Sequence, residues 1–274
     1  SADRSAPMGG GAEDAGADVD AALPGEDGGS PARPDAGDGL DDVIVWAHSP
    51  RELFAFDPRT NGVTEIGRFR GPDGSDAEDM TDLAVDGFGN LFTCSFTTLY
   101  RVDAATAEVT EIGALGVPTE VRFNALTFVP AGALDPAAEV LVAATADGDY
   151  YRIDVASGAA TRVGTFADGY GSSGDLVSVL GAGTFATVFR DDLDEDWLVR
   201  LDPATGEITP VGSTGTVRLF GLGYWRNRLY GFNSFGWLLE IDVATGEASV
   251  VEMDTGADVF FGAGVTTNAP TAPI

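Results

Sequence analysis

The sequence predicts an all-β protein, a five-bladed β-propeller of four-stranded blades. The main observation is a phrase of one strand and one turn that occurs five times and always ends in aspartate. The five copies are residues 53–57, 99–103, 150–154, 198–202 and 238–242. Their aspartates lie 40 to 51 residues apart, a period that is typical of propeller arrays when each unit is all-β. The second observation is that alternating β-type segments surround each copy.

The turn after each aspartate has its own pattern, Asp-x-x-Ser/Thr-Gly. It occurs at residues 154–158, 202–206 and 242–246, is one residue longer at 57–62, and has Ala107 in place of glycine in the second copy. A short carboxylate accepts hydrogen bonds from amides two or three residues later, and glycine takes the positive φ that closes such a turn. We therefore predict a structural rather than a catalytic role for these aspartates.

Each repeat contains four predicted strands, most clearly residues 81–86, 90–95, 99–103 and 109–115. Pro210 cannot donate a ladder hydrogen bond, which places its strand at an outer edge. The candidates for innermost strands are residues 83–85, 125–129, 176–180, 221–225 and 262–266. The first repeat lacks such a strand and the last candidate has no partners after it. We predict that the C-terminal strand, residues 260–266, joins the N-terminal blade and closes the ring.

Composition divides the chain of 274 residues into three parts. Residues 1–41 are rich in Ala, Gly, Asp and Pro and contain two Arg against ten acidic residues, a net charge of −8. Such a segment buries too little apolar surface to offset its ordering entropy, so we predict a disordered acidic tether. Residues 42–268 form the predicted propeller domain, and residues 269–274 a C-terminal tail.

The charge balance excludes some partners. The formal net charge is −29 and the chain contains no Lys, which disfavours nucleic acid and anionic membrane surfaces. No segment approaches the roughly 20 apolar residues of a membrane span. A Gly/Ala/Asp-rich tether before a compact domain is typical of bacterial surface lipoproteins. We therefore expect an extracellular or cell-surface protein, with a lipid anchor upstream of Ser1 as a hypothesis.

These residues resemble the secreted bacterial β-propellers with Leu-x-x-Ile-Asp-x-x-Thr-Gly blades, the YncE-like and related families. The resemblance covers about residues 42–268 and is strongest at 218–225, 229–232, 239–242 and 260–267. It implies the fold and no activity, because the shared residues shape turns and blade cores.

A propeller usually binds at the face where loops enter the innermost strands, near the central channel. Three acidic residues, Asp79, Asp82 and Asp175, are predicted near this channel mouth. Asn124 and Arg218 are polar candidates for a ligand pocket, with Phe220 and Phe261 as apolar walls.

Metal and nucleophile chemistry have few candidates. Asp192, Asp194 and Asp196 alternate in an acidic loop that would suit Ca²⁺, although the loop lacks the glycine and distant Glu of an EF-hand, and a solvated loop is the favoured interpretation. His48 is the only histidine, which excludes a multi-histidine metal site within one chain. The single cysteine, Cys94, lies in a predicted strand and is interpreted as a buried filler.

The leading hypothesis is a non-enzymatic surface or secreted binding module whose protein or glycan partner occupies the channel-mouth face. The first alternative is a carbohydrate-binding or carbohydrate-hydrolysing propeller, since glycosidases use paired carboxyls. The second is a structural subunit of a surface filament or coat. No cofactor other than calcium is suggested by the sequence.

Overall fold

The structure, a computed structural model, describes residues 43–272. It is an all-β propeller in which twenty strands form five antiparallel sheets of four. In chain order the strands are β1 (Val45–His48), β2 (Glu52–Asp57), β3 (Gly62–Arg68), β4 (Asp82–Val85), β5 (Leu91–Cys94), β6 (Thr98–Val102), β7 (Val109–Ala114), β8 (Phe123–Val129), β9 (Val140–Thr145), β10 (Asp149–Ile153), β11 (Ala160–Thr165), β12 (Gly171–Val179), β13 (Gly183–Phe189), β14 (Trp197–Leu201), β15 (Ile208–Ser213), β16 (Leu219–Trp225), β17 (Arg228–Asn233), β18 (Leu238–Ile241), β19 (Ala248–Glu252) and β20 (Gly262–Gly264). A single 3-10 turn spans Ala167–Gly169.

The predicted ring closure is confirmed. Blade 1 has the strand order β20-β1-β2-β3, so the last strand of the chain is the innermost strand of the first blade. Its register pairs Trp46 with Gly264 and His48 with Gly262. Blades 2 to 5 each take four consecutive strands, with β4, β8, β12 and β16 innermost. Closure gives every innermost strand a neighbouring blade on both sides.

The aspartate turns have the structural role that the sequence predicts. Asp154 Oδ1 accepts hydrogen bonds from the amides of Ala156 and Ser157 at 2.8 and 3.0 Å, and Asp242 does the same two blades later. Ala107 takes the glycine position with φ of 59° and is fully buried. The β-carbon is thus accommodated there at the conformational cost of a left-handed alanine.

The glycines of the outermost strands have a second role, which is contact between blades. A β-carbon on Gly113 would lie 2.2 Å from the carbonyl oxygen of Ser157, in the aspartate turn of the next blade. One on Gly212 would lie 2.0 Å from the carbonyl oxygen of Thr245. Only glycine lets these turns approach the preceding blade so closely.

The core fills the spaces between blades rather than one centre. Between blades 5 and 1, the Phe56 ring lies 4.9 Å from Tyr230 and 5.8 Å from Phe232, and Phe232 lies 5.1 Å from Phe260, all edge to face. These rings are fully buried or nearly so. Pro210 lies on β15, the outermost strand of blade 4, as predicted.

We name the two faces by the connections that they carry. The upper face carries the loops that enter the innermost strands. The lower face carries the turns from each innermost strand to the second strand, together with the aspartate turns. The predicted tether, residues 1–41, lies outside the described residues, as do residues 273–274. Within residues 43–272 there is no helix of the length and apolarity that a membrane span requires.

The chain after β20, residues 265–270, crosses the lower end of the channel; we call it the lower plug. Thr266 forms a β-bridge with Val85, and its hydroxyl donates to the Asp86 carbonyl at 2.9 Å. The carbonyl oxygen of Thr267 accepts the Leu180 amide at 2.8 Å. The Pro270 carbonyl accepts the Arg226 amide at 2.7 Å. The lower plug therefore contacts turns of blades 2, 4 and 5.

Candidate functional site

The upper end of the channel opens into a cavity of about 260 Å³, which we call the mouth pocket. Its lining comes from all five blades, because it collects the residues at the starts of the innermost strands and one residue of a neighbouring loop. These residues are Thr81, Phe96, Phe123, Asn124, Gly174, Phe220 and Phe261. The volume lies just below the roughly 300–1,000 Å³ of typical small-molecule sites. The structure thus brings together three predicted ligand-binding residues, Asn124, Phe220 and Phe261.

The walls of the mouth pocket are aromatic. The Phe220 and Phe261 rings meet edge to face with their centroids 6.2 Å apart. The guanidinium of Arg122 lies over the outer wall ring, Phe96, at 4.5 Å from its centroid. One ring of the lining therefore makes a cation–π contact with an arginine of the same chain.

The polar residues of the lining have distinct hydrogen-bonding states. The Thr81 hydroxyl donates to the Cys94 carbonyl at 3.2 Å. Asn124 Nδ2 donates to the Ser172 carbonyl at 2.9 Å, which directs Oδ1 of the same amide elsewhere. Asn124 Oδ1 is buried and has no hydrogen-bond partner within the described residues. The wall of the pocket therefore contains one buried, unpaired acceptor among apolar side chains.

Two buried carboxyls lie next to lining residues of the mouth pocket in the sequence. Asp82 follows Thr81 and Asp175 follows Gly174, and both side chains have zero exposure. Asp175 is anchored by backbone amides: Oδ1 accepts from Leu176 at 2.6 Å, and Oδ2 from Leu222 at 2.5 Å and Ala263 at 3.3 Å. Three donors on one carboxylate hold its position across the innermost strands of three blades.

Asp82 is less well satisfied. Its Oδ1 accepts the Leu83 amide at 2.7 Å, whereas Oδ2 is buried and has no hydrogen-bond partner among residues 43–272. His48 Nε2 lies 3.9 Å from Asp82 Oδ1, and both side chains are fully buried. A β-carbon on Gly262 would lie 1.9 Å from Asp82 Oδ1 and 2.6 Å from His48 Nε2, so glycine makes room for both groups. We call His48, Asp82 and Asp175 the axial cluster.

Burial dominates the electrostatics of the axial cluster. It raises the pKa of Asp82 well above its usual value, and the neighbouring Asp175 carboxyl raises it further. Burial also raises the pKa of Asp175, although the amides that it accepts oppose the change. Burial lowers the pKa of His48 to about 4, so its imidazole is neutral near pH 7. Both carboxyls therefore hold a proton more tightly than an exposed aspartate does.

Two further predicted site residues belong neither to the mouth pocket nor to the axial cluster. Asp79 is exposed and pairs with Arg51, with 2.8 Å between Oδ1 and Nε. It borders a separate cleft of about 410 Å³ on the upper face beside blade 1. Arg218 is exposed in the loop before β16, with φ of 57°. The three acids of the predicted group are therefore divided, with Asp82 and Asp175 in the channel and Asp79 at the surface.

The acidic loop proposed for calcium has its carboxylates in different roles. Asp192 pairs with Arg190, with 2.5 Å between Oδ1 and Nε, and Asp194 is exposed. Asp196 is buried and its Oδ2 accepts the Leu219 amide at 2.8 Å, which ties the loop to β16. Among residues 43–272, no three His, Cys, Asp or Glu side chains are grouped as metal ligands. Calcium binding at this loop stays a prediction.

Sequence reasoning missed His48 and the surroundings of Cys94. His48 lies on the second strand of blade 1, and only the register of β20 against β1 brings it to Asp82. Cys94 is buried behind Thr81, with 3.3 Å between Sγ and the Thr81 hydroxyl, and burial raises its pKa to about 11. A thiol in that state is a poor nucleophile, which agrees with its interpretation as a filler.

The comparisons identify the family. Residues 89–269 match the model of DUF6923, a repeat of unknown function, and the chain belongs to that family. It is a β-propeller repeat protein. No curated protein matches the chain.

Similar solved structures share little sequence with the chain. A protein of unknown function from Bacteroides caccae has a TM-score of 0.41 at 8% identity, over 77% of this chain and 72% of that one. The extracellular domain of a putative hybrid two-component system from B. thetaiotaomicron gives 0.41 at 13% identity, over 81% of this chain and 29% of that one. The computationally designed Ika8 protein gives 0.36 at 13% identity, over 80% and 73%.

Proposed function

We propose that this member of the DUF6923 repeat family is a non-enzymatic binding protein that holds a small ligand group in the mouth pocket. The observation that carries the proposal is the origin of the lining, to which all five blades contribute. A pocket built by every repeat is held rigidly, because moving any wall requires moving a blade. Rigid apolar walls with a few polar groups are the usual make-up of ligand sites.

The lower plug supports the same proposal. Because residues 265–270 cross the lower end, the channel is accessible from the upper face. A ligand would therefore enter and leave by one route, past Phe96, Phe220 and Phe261. The partner that carries this ligand group, whether a protein or a free small molecule, would dock on the upper face.

The geometry favours binding over hydrolysis. Glycoside hydrolysis needs two carboxyls on either side of the bond to be cleaved, roughly 5–10 Å apart and in contact with substrate or water. Asp82 and Asp175 have zero exposure, and both oxygens of Asp175 are engaged by backbone amides. Asp79 lies at another cleft and pairs with Arg51. None of the three is placed to protonate a leaving group in the mouth pocket.

A sugar suits the pocket less well than an apolar group. Aromatic rings do stack on sugars, but a sugar also needs several polar partners for its hydroxyls. The lining offers Asn124 Oδ1, while the Thr81 hydroxyl already donates to a carbonyl. The predominantly phenyl lining therefore favours an alkyl or aryl group.

We further propose that the protein acts at the cell surface or after secretion. The support is the composition of residues 1–41 and the resemblance of the blades to YncE-like secreted propellers. The absence of Lys and the net charge of −29 fit a soluble surface protein that avoids anionic membranes.

The test is ligand-observed NMR on the purified chain with three neutral probes: phenol, indole and methyl β-glucopyranoside. We expect phenol and indole to bind, and Phe220→Ala to weaken them at least five-fold. Phe88→Ala is the matched control, because Phe88 is 86% exposed and lies on the lower face. If the wild-type chain binds neither apolar probe, the proposal fails. Preferential binding of the glucoside would favour the carbohydrate alternative.

A further inference from the structure

The region below the aromatic walls contains several buried polar atoms without partners. Within the described residues these atoms are Asn124 Oδ1, Ser172 Oγ, Asp82 Oδ2 and His48 Nε2. Asn124 and Ser172 lie on the neighbouring innermost strands β8 and β12 and share one hydrogen bond. Asp82 lies on β4, beside β8. A buried polar atom without a partner is costly, so a group that supplies hydrogen-bond donors would be stabilised here.

The hydrogen bonds that are present show which of these atoms are acceptors. His48 Nδ1 lies 2.7 Å from the Ser49 carbonyl, which can only accept, so Nδ1 carries the proton. Nε2 of the neutral imidazole is then an acceptor. Asn124 Nδ2 is engaged with the Ser172 carbonyl, which leaves Oδ1 as an acceptor. Two of the four atoms, His48 Nε2 and Asn124 Oδ1, are therefore acceptors that lack a donor within the described residues.

The electrostatic surroundings favour a donor that carries positive charge. None of the seven residues that line the mouth pocket is basic, and two carboxyls lie directly behind them. The basic group on the walls is the exposed Arg122 guanidinium, over Phe96. Phenyl faces attract cations through their quadrupole, and most strongly where water is excluded. An anionic ligand would find no counter-charge within the pocket.

Building on the proposed function, we propose that the mouth pocket binds a protonated amine on a short apolar stem. The stem packs against Phe220, Phe261 and Phe123. The ammonium group donates to Asn124 Oδ1 and faces the Asp82–Asp175 pair. A primary ammonium has three donors and no acceptor, which suits a region where Asn124 Oδ1 and His48 Nε2 are acceptors without a donor.

A metal ion fits these observations less well than an amine. Ca²⁺ takes six to eight oxygen ligands at 2.3–2.6 Å, whereas the mouth pocket is walled by phenyl rings. Both oxygens of Asp175 already accept hydrogen bonds from backbone amides. In the described part of the chain, no three suitable side chains are grouped as metal ligands.

The decisive experiment compares two probes of nearly the same shape, 3-methylbutylammonium and 3-methylbutan-1-ol, by calorimetry or NMR titration at pH 7. We expect the wild-type chain to bind the ammonium at least ten-fold more tightly than the alcohol. This comparison needs no variant, so it does not depend on whether a substitution folds. Repeating the ammonium titration with added Na⁺ or Ca²⁺ at equal ionic strength shows whether a metal ion competes for the same site.

Two variants locate the charge that is recognised. Asp82→Asn should weaken the ammonium about ten-fold or more and leave the alcohol within two-fold. Asp79→Asn makes the same change of charge at the upper surface and should leave both affinities unchanged. An equal loss in the two variants would show that only the overall charge acts, and would overturn the assignment to the channel.

The outcomes separate this inference from the proposed function. If the alcohol binds as tightly as the ammonium, the pocket is a ligand site but not one for amines. The same conclusion follows if indole and phenol bind while the ammonium does not. Displacement by Ca²⁺ with no effect of Asn124→Leu would indicate a metal site instead. If none of these organic probes binds, both the inference and the proposed function fail.

Discussion

The lower end of the channel is filled by main chain, whereas its upper end is lined by side chains around a cavity. Below, residues 265–270 bond to turns of three other blades through backbone amides and carbonyls. Above, the rings of Phe220 and Phe261 meet edge to face in the wall of the cavity. Backbone bonds constrain the strands whatever the side chains are, while a lining of side chains can change without loss of the ring. This difference agrees with the proposed function, in which the lower end contributes stability and the upper end binds the ligand.

Removal of the lower plug should have the largest effect on the free energy of unfolding. A chain that ends after Gly264 loses the bonds to Asp86, Leu180 and Arg226 and also loses the buried side chain of Val265. At about 1 kcal/mol per hydrogen bond and roughly 1.5–3 kcal/mol for the valine, the free energy of unfolding should fall by on the order of 5 kcal/mol. Urea unfolding followed by tryptophan fluorescence measures it.

The matched control for this truncation is a chain that ends after Thr271, which keeps the Pro270 carbonyl on Arg226. It should be as stable as the full chain within about 0.5 kcal/mol. If the shorter chain loses less than about 1 kcal/mol, the ring is closed mainly by β20 and the assignment of stability to the lower plug is wrong.

Removal of the Glu139 carboxylate at the lower end should have an intermediate effect on the free energy of unfolding. Glu139 accepts the Gly87 amide at 2.8 Å on Oε2 and the Thr267 hydroxyl on Oε1, so it joins blades 2 and 3 to the lower plug. Glu139→Ala leaves both donors without their partner and should cost about 1–3 kcal/mol. Glu139→Gln is the control, because Thr267 can accept from the new amide and both contacts survive. Thermal unfolding gives the melting temperatures of the two variants. A melting temperature of Glu139→Ala that is no lower than that of Glu139→Gln would contradict this account.

The axial cluster, which lies between the two ends of the channel, should make the free energy of unfolding depend on pH. The pKa of Asp82 is raised by burial and by Asp175, so the folded chain holds its proton more tightly than the unfolded chain. The stability therefore falls as pH rises from the unfolded value of 3.8 through the folded value. His48 acts in the opposite direction between about pH 4 and 6.5, because its folded pKa is lowered. Above pH 6.5 only the carboxyl effect remains.

Asp82→Asn should thus be more stable than the wild type above pH 6.5, by on the order of 1 kcal/mol, with the difference vanishing towards pH 4. The amide keeps an acceptor for the Leu83 amide and places a donor at the position of Oδ2, which has no partner within the described residues. Thermal unfolding at half-unit pH steps measures the difference, with Asp79→Asn as the exposed control. A variant that is less stable than the wild type at pH 8 would show that the carboxylate is needed in its ionised form.

The features that sequence could predict are those encoded locally in each repeat. The aspartate turns, the alternating strands and the missing innermost strand of blade 1 are all properties of neighbouring residues, and the structure confirms them. Asn124, Phe220 and Phe261 were identified because they lie where innermost strands begin. Their convergence on one pocket follows from ring symmetry alone.

The features that sequence could not predict depend on contacts between blades. His48 reaches Asp82 only through the register of β20 against β1. Gly113 looks like a strand-end glycine until Ser157 of the next blade is placed against it. The bonds of the lower plug to three turns require the ring to be closed first. These contacts join residues that are 34 or more positions apart, and no local pattern marks them.

A substitution in the mouth pocket should have the smallest effect on the free energy of unfolding. It tests most directly the comparison between the upper and lower ends of the channel. Phe220 is half-buried and pairs with Phe261, so Phe220→Ala should cost about 1 kcal/mol in the free energy of unfolding. Phe232 lies in the same blade but is fully buried against Phe56 and Phe260, and Phe232→Ala should cost roughly 3–5 kcal/mol. Urea unfolding of both variants gives the two values. If Phe220→Ala is as costly as Phe232→Ala, the upper aromatic residues hold the ring together, and the pocket is part of the core rather than a surface available for binding.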